Sequence, residues 1–192
     1  YDITERLCIL SLMSTKILIT GAGGYIGSVA SKLFLEEGHD IVAVDNYSRG
    51  YSEPLKLLQQ SYGEDRFRFY EADLRSSGDG GNSINSIFSK EQNIQAVIHY
   101  AAFCNVGESE EHPELYFHNN VLGTLNVLES MRTHNINKIL FSSTCSLYGE
   151  PVEEFITEEH PINPTSHPYS ESKFMSERII QWYAKVYGFT YI

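Results

Sequence analysis

Short β-branched runs alternate with longer segments of helical spacing along most of this chain, and that alternation leaves few folds open. The runs fall at residues 16–20, 40–45, 66–70, 95–99 and 138–143, and helical spacing covers 25–37, 53–62, 84–91, 113–134 and 168–187. Strands that alternate with helices make right-handed βαβ units, and a series of these makes a parallel sheet covered on both faces. Ile17, Leu18 and Ile19 form an unbroken apolar run, as a strand in the middle of such a sheet should. The expected fold is therefore α/β, a Rossmann-type doubly wound parallel sheet. No repeat of solenoid length is visible. Residues 76–83 are Ser, Gly, Asp and Asn only, too small and polar to fill a core, and read as a flexible surface loop.

The first strand leads directly into a glycine-rich turn in which Gly21, Gly24 and Gly27 keep a three-residue spacing. A glycine there tolerates unusual backbone angles, lets a pyrophosphate approach a helix N-terminus, and allows the helix to sit close on the strand. Strand, turn and helix in that order make this a dinucleotide-binding signature rather than a lone glycine string. Asp45 closes the second strand 24 residues after Gly21, where a carboxylate can accept from both hydroxyls of an adenosine ribose and repel a 2′-phosphate. NAD is thus favoured over NADP. Arg49, in the next loop, weighs slightly the other way. Asp73 ends the third strand unit and is placed to reach an adenine edge.

A second constellation follows the fifth strand. Ser142, Ser143 and Thr144 close it, and Pro168 then opens a helix carrying Tyr169 and Lys173, four apart and so on one face. A free tyrosine titrates near ~10 and is a poor base at neutral pH. A nearby ammonium and a positively charged nicotinamide would both favour its phenolate. Thr144 can bond the same substrate hydroxyl and help pass its proton.

Composition narrows the partners. Against 14 basic residues stand 25 acidic ones, a formal net charge of −11, which argues against nucleic acid or an anionic membrane as a ligand but not against small phosphorylated molecules held by backbone amides. The three cysteines, Cys8, Cys104 and Cys145, show neither a disulfide framework nor a zinc spacing, which points to a reducing, cytoplasmic compartment. The seven histidines show no paired metal spacing, so no metal is expected. His99, ending a strand, reads as a buried, hydrogen-bonded structural group.

Taken together, Gly21, Gly24 and Gly27, Asp45 and Asn46, Asp73 and Leu74, His99 through Ala102, Asn119 through Val121, Ser142 through Thr144, and Tyr169 with Lys173 resemble the extended short-chain dehydrogenase/reductases. More narrowly they resemble the UDP-glucose 4-epimerases and related NAD-dependent nucleotide-sugar epimerases, over residues 16–192. The resemblance implies that Tyr25 and Ile26 line the pyrophosphate turn and that Asp45 and Asn46 hold the adenosine ribose. It implies that Asp73 and Leu74 flank the adenine, that Tyr100, Ala101 and Ala102 form the wall after the fourth strand, and that Asn119 lies near the cofactor. Lys173 would grip the nicotinamide ribose, Tyr169 would be the base on the sugar's 4-hydroxyl, and Thr144 would share that proton. The implied reaction moves hydride from C4 to NAD, turns the 4-keto sugar over, and returns the hydride to its other face with no net redox. The implied substrate is a UDP-sugar, most simply UDP-glucose and UDP-galactose, and relatives pair as homodimers through the helices at 113–134 and 168–187.

One departure is Cys104, where some such epimerases carry a lysine near the cofactor phosphates; Cys104 and Cys145 read as packing residues rather than nucleophiles. The rival readings are a nucleotide-sugar 4,6-dehydratase or a decarboxylase on the same scaffold, or a non-catalytic NAD-binding module. A dehydratase of this kind needs an acid after the strand-end threonine, where Cys145 and Ser146 stand here. Residues 1–15 are expected to lie outside the fold, with the apolar stretch 7–13 too short to cross a bilayer. Residues 16–192 are expected to form the NAD-binding domain, cut as a sixth strand begins near Phe189, with the substrate lobe absent and little activity in the chain alone.

Overall fold

A computed structural model describes residues 14–76, 81–149, 155–163 and 167–192. The chain runs β1 (Lys16–Thr20), α1 (Tyr25–Glu36), β2 (Asp40–Asp45), α2 (Glu53–Tyr62), β3 (Phe67–Glu71), α3 (Ile84–Lys90), β4 (Ile94–His99), α4 (Val106–Glu111) and α5 (Pro113–Tyr116). A π-helical turn (Phe117–Leu122), α6 (Gly123–Thr133), β5 (Lys138–Phe141), a 3₁₀ turn (Cys145–Tyr148), α7 (Pro168–Tyr187) and β6 (Thr190–Tyr191) follow. All strand pairs are parallel, and the sheet order is β3-β2-β1-β4-β5-β6. The order in which strands are added reverses between β1 and β4, the switch point at which open α/β sheets leave a crevice.

Alternation along β1 explains its apolar run. Ile17 and Ile19 enter one core with Leu35 of α1, Leu55 of α2 and Phe67 of β3. Leu18, pointing the other way, enters the opposite core with Ile87 of α3, Val127 and Leu128 of α6 and Ile180 of α7. Both faces are therefore covered, as a doubly wound sheet requires. Burying one such aliphatic side chain contributes about 1.5–3 kcal/mol, so the two cores carry most of the stability.

Several boundaries differ from the sequence pattern. β5 ends at Phe141, so Ser142, Ser143 and Thr144 leave the sheet. The helix expected over 113–134 is broken into α5, the π-helical turn and α6. Helical spacing does not reveal this, because a π turn is one local i→i+5 pairing inside a segment that otherwise keeps helical spacing. α4 was not anticipated; Asn105 caps it, its side chain accepting from Glu108 N–H at 3.1 Å. Thr15 is already tied to the fold, its N–H donating to His39 Nδ1 at 3.3 Å and its carbonyl accepting from Asp40 N–H at 3.1 Å. Residues 1–13, with Cys8, and residues 77–80 of the expected loop lie outside the described residues. No described helix is long and apolar enough to cross a membrane.

Glu91 closes the N-terminal end of the sheet, opposite the crevice. Its side chain is 1% exposed and takes hydrogen bonds from Lys16 at 3.2 Å, Arg68 at 3.2 Å and Tyr70 at 2.6 Å. Burial alone would raise its carboxyl, but these three donors outweigh burial and hold it below the ordinary value. Glu91→Leu is expected to lower the unfolding free energy by about 2 kcal/mol in urea, less than for a fully enclosed pair because both cations keep contact with water. The pH dependence has a definite sign. The stability from Glu91 is present above its unfolded pKa and is lost as pH falls through its depressed folded value. Parent and variant should therefore converge in acid, and a constant gap down to pH 2 would remove this role.

Candidate active site

The turn after β1 is shaped by what a side chain would hit. Gly21 has φ +69°, and a Cβ there would lie 2.6 Å from Ala101 N. At Gly27 it would lie 2.2 Å from Gly21 O and 2.8 Å from Ala22 Cα, so α1 rests directly on the turn. Gly50 closes in from the loop after β2, 2.6 Å from Gly23 C on the same measure. Gly24 caps α1 with no side-chain hydrogen bond, and the first intrahelical bond is Ser28 N–H to Gly24 O at 3.0 Å. The N–H groups of Tyr25, Ile26 and Gly27 precede that bond, leaving the helix N-terminus open to an anion.

This terminus faces a groove of about 250 Å³ at the switch point, lined by Gly21, Gly24, Asp45, Asn46, Leu74, Tyr100, Ala101, Ala102 and Asn119 among others. Nine of the residues singled out in the sequence thus meet at one place. Tyr25 and Ile26 do not line it; their side chains are 86% and 58% exposed, so they bring only backbone to the turn. Asp45 accepts from Gly23 N–H at 2.9 Å and Tyr47 N–H at 2.7 Å, which fixes its carboxylate at the groove edge. Asp73 lies in an adjoining depression, chelated by Arg75 at 2.5–3.1 Å and bonded by Asn46 Nδ2 at 3.3 Å. The Arg75 guanidinium holds the Asp73 carboxyl down at about 2. Arg49 and Cys104 also line the groove, and spacing alone marked neither as part of its wall.

A buried polar seam positions the elements around the groove. Thr124 Oγ1 donates to Asn120 O at 2.6 Å, so it accepts from His99 Nε2 at 2.9 Å. His99 Nδ1 then accepts from Thr20 Oγ1 at 2.6 Å, and burial lowers the imidazole to about 3 and keeps it neutral. His99 is the structural group expected. Asn120, 2% exposed, holds the next loop by both backbone groups of Phe103, at 2.8 and 3.0 Å, and reaches Ser172 Oγ of α7 at 2.9 Å. Its neighbour Asn119 lines the groove while Asn120 points inward.

α7 begins at Pro168, with His167 as its N-cap; Nδ1 accepts from Ser170 N–H at 3.1 Å. Tyr169 sits between the His167 ring, stacked at 6.0 Å, and the Tyr116 ring, edge-on at 6.3 Å. Thr144 is within hydrogen-bonding reach of its phenol. Lys173 is 3% exposed, and its Nζ lies 4.2 Å above the Phe141 ring. Thr144 thus reaches Tyr169, and Tyr169 and Lys173, one turn apart on α7, both lie within electrostatic reach of the groove-lining Cys104, although none of the three lines the groove itself.

Two expectations need correction. Burial raises the Tyr169 phenol above its ordinary value; the Thr144 bond pulls it down, Cys104 and Cys145 push it up, and Lys173 is not among the influences. Lys173 does not lower the tyrosine in this structure; its Nζ rests on the Phe141 ring, and burial brings it down to about 8. Cys104 and Cys145 are not packing residues; both are exposed free thiols at the edge of this site. No group of three His, Cys, Asp or Glu side chains among the described residues is placed to hold a metal ion.

Two outcomes follow from this geometry. Gly27→Ala should cost roughly 1–3 kcal/mol in stability and weaken dinucleotide binding, measured by urea unfolding and by titration with NAD+, since α1 must lift off the turn. Wild-type affinity in that variant would count against the cradle. Lys173 has a depressed folded pKa, so the unfolded chain binds more protons between pH 8 and 10.5 and stability should rise with pH there. Lys173→Met should abolish that rise and be more stable below pH 8, by on the order of 2 kcal/mol. Calorimetry at stepped pH checks it.

Comparison with known proteins places this geometry. A sequence model of the NAD dependent epimerase/dehydratase family matches residues 17–192. UDP-arabinose 4-epimerase 1 of Arabidopsis thaliana is 43% identical over 172 residues, 89% of this chain and 40% of that protein. UDP-glucose 4-epimerase of Bacillus subtilis is 41% identical over 165 residues, 86% of this chain and 47% of that protein. Among solved structures, UDP-glucose 4-epimerase from Bifidobacterium longum in complex with NAD+ and UDP superposes with a TM-score of 0.83 at 35% identity, covering 92% of this chain and 51% of that one. The chain spans half or less of the curated relatives' length. With its glycine cradle, its groove at the switch point and its Thr144–Tyr169 contact with Lys173 one turn on, the chain belongs to the NAD dependent epimerase/dehydratase family.

Proposed function

We propose that this chain is the cofactor-binding and catalytic part of an NAD-dependent nucleotide-sugar 4-epimerase. The observation that carries the reading is the Thr144–Tyr169 contact, with Lys173 one turn on, near Cys104 in the wall of a groove whose cradle admits no side chain at Gly21 or Gly27. The open N-terminus of α1 would take the pyrophosphate, Asp45 the adenosine ribose, and Lys173 the nicotinamide ribose. NAD bound there would supply a reversible hydride acceptor for C4 of the sugar.

Tyr169 would remove the 4-hydroxyl proton and give it back, with Thr144 bonded to the same oxygen. Its raised pKa makes the phenol hold its proton until a positive charge arrives beside it, which ties base strength to cofactor occupancy. The dehydratase reading is less well supported. Cys145 is an exposed thiol, and Ser146 Oγ accepts from Thr144 at 3.1 Å, so neither position after the threonine supplies a carboxylic acid.

Relatives named for UDP-glucose and for UDP-arabinose both stand at about 40% identity, so the sugar proposed is a UDP-hexose, with a UDP-pentose as the alternative. The proposal extends to a cytoplasmic enzyme in which residues 16–192 bind NAD and further sequence holds the UDP-sugar. The isolated 192 residues should then bind NAD+ and turn over little. The test uses the full-length protein with UDP-glucose, UDP-galactose and UDP-arabinose, followed by NMR. Tyr169→Phe should lower kcat by about 10²–10³-fold and leave KM nearly unchanged. Turnover at the parent rate would remove the tyrosine as base, and release of a 4-keto-6-deoxy sugar would establish the dehydratase instead.

A further inference from the structure

Two loops form the facing walls of the groove: Asn46 through Gly50 after β2, and Tyr100 through Cys104 after β4. They are tied together by side chains that no part of the proposed chemistry requires. The Arg49 guanidinium donates to both carboxylate oxygens of Glu108 on α4, at 2.6 and 2.7 Å, and lies 4.6 Å from the centre of the Phe103 ring. Both bonds come from the one nitrogen Nη2, so the contact is a short charge-assisted one rather than a two-nitrogen fork. The pair is half in water, with side-chain exposures of 50% for Arg49 and 27% for Glu108, so it can open and close.

Glu108 is not a free surface partner. Tyr116, fully buried, has its one hydroxyl proton shared between Asn105 O at 2.6 Å and Glu108 Oε2 at 2.7 Å, and accepts from Asn105 N–H at 3.0 Å. The same ring packs edge-on against Tyr169 and against Phe103. One carboxylate thus links the loop that follows Asp45 to the aromatic support of Tyr169. Tyr116 and Arg49 together hold the Glu108 carboxyl below its ordinary value, so it stays charged at neutral pH. Arg49 in turn is turned toward Glu108 and Phe103, which answers the question its position raised about a 2′-phosphate.

We propose that Glu108 is a positioning residue that clasps the two walls of the groove through Arg49, retaining the bound dinucleotide while supporting Tyr169 through Tyr116. The inference rests on the reading of this groove as the NAD site. A dinucleotide lying between the two loops leaves more readily when the walls part, and each parting breaks the Arg49–Glu108 pair. Retention is then a property of protein–protein contact across the groove, in addition to whatever the ligand touches.

The experiment measures NAD+ release from this 192-residue chain by stopped-flow displacement, for the parent, Glu108→Gln, Arg49→Met and the double variant. Glu108→Gln keeps an acceptor for Tyr116, and Arg49→Met leaves the Glu108–Tyr116 bond untouched, so neither should unfold the chain. Each single variant is expected to release NAD+ about five- to tenfold faster, and the double variant no faster than either. The gap between parent and variants should shrink in high salt, which screens a half-exposed pair. Slower release from Glu108→Gln would mean that a freed Arg49 grips the ligand itself, and it would overturn the clasp. Unchanged release in both single variants, or additive effects in the double, would overturn it as well. Failure of the parent to bind NAD+ at all would instead remove the cofactor reading, and the clasp with it.

Discussion

A single chain of hydrogen bonds, buried where β1 and β4 end, sets the position of nearly everything else around the groove. It runs from Ala101 N–H to Thr20, from Thr20 to His99, from His99 to Thr124, and from Thr124 to the Asn120 carbonyl. The Asn120 side chain extends it to Ser172, whose hydroxyl donates to Tyr169 O at 2.7 Å. Each hydroxyl in the seam has one donor direction, and the imidazole has one tautomer that satisfies both threonines. Fully satisfied buried polar groups specify an arrangement as well as stabilise it, whereas leaving one unpaired costs about 1–3 kcal/mol. The glycine turn, the wall after β4 and the helix carrying the tyrosine are therefore placed by the same seam.

The electrostatics of Tyr169 and Lys173 follow from that placement. Both are drawn into a region poor in water, and burial disfavours the phenolate of one and the ammonium of the other. Phe141 and the approach of Glu177 soften the penalty on the lysine without removing it. A site built this way is poorly tuned by its own charges and responds strongly to any charge introduced beside it. The exposed thiols Cys104 and Cys145 add to the rise at the tyrosine and so sharpen the response.

Much of this was legible in the sequence, for reasons that are physical. The apolar run of β1, the glycine spacing and the four-residue step from Tyr169 to Lys173 are local patterns with one good structural solution each. Less legible were features that depend on neighbours distant in the chain. The break of the 113–134 helix at its π-helical turn depends on Asn120 meeting Phe103 and Ser172, 17 residues before it and 52 after it. Asn120, a polar residue on the buried side of that segment, is the available sign. The environment of Tyr169 was misjudged because four-residue spacing fixes a shared face but says nothing of the Phe141 ring that occupies Lys173, nor of how deeply either residue is buried.

The two-sided apolar character of β1 has a consequence for folding. In a sheet with one wet face, a slip of one residue would turn hydrophobic side chains into water, and the slip would be rejected at once. Here Ile17, Leu18 and Ile19 would find oil on either side, so hydrophobicity alone discriminates poorly between neighbouring pairings of β1 with β4. The residues that do discriminate are Thr20 and His99, which stand opposite each other in the native register and find their partners only there. For this central strand, collapse and correct alignment are separate problems, and the second is solved by two polar side chains at its end.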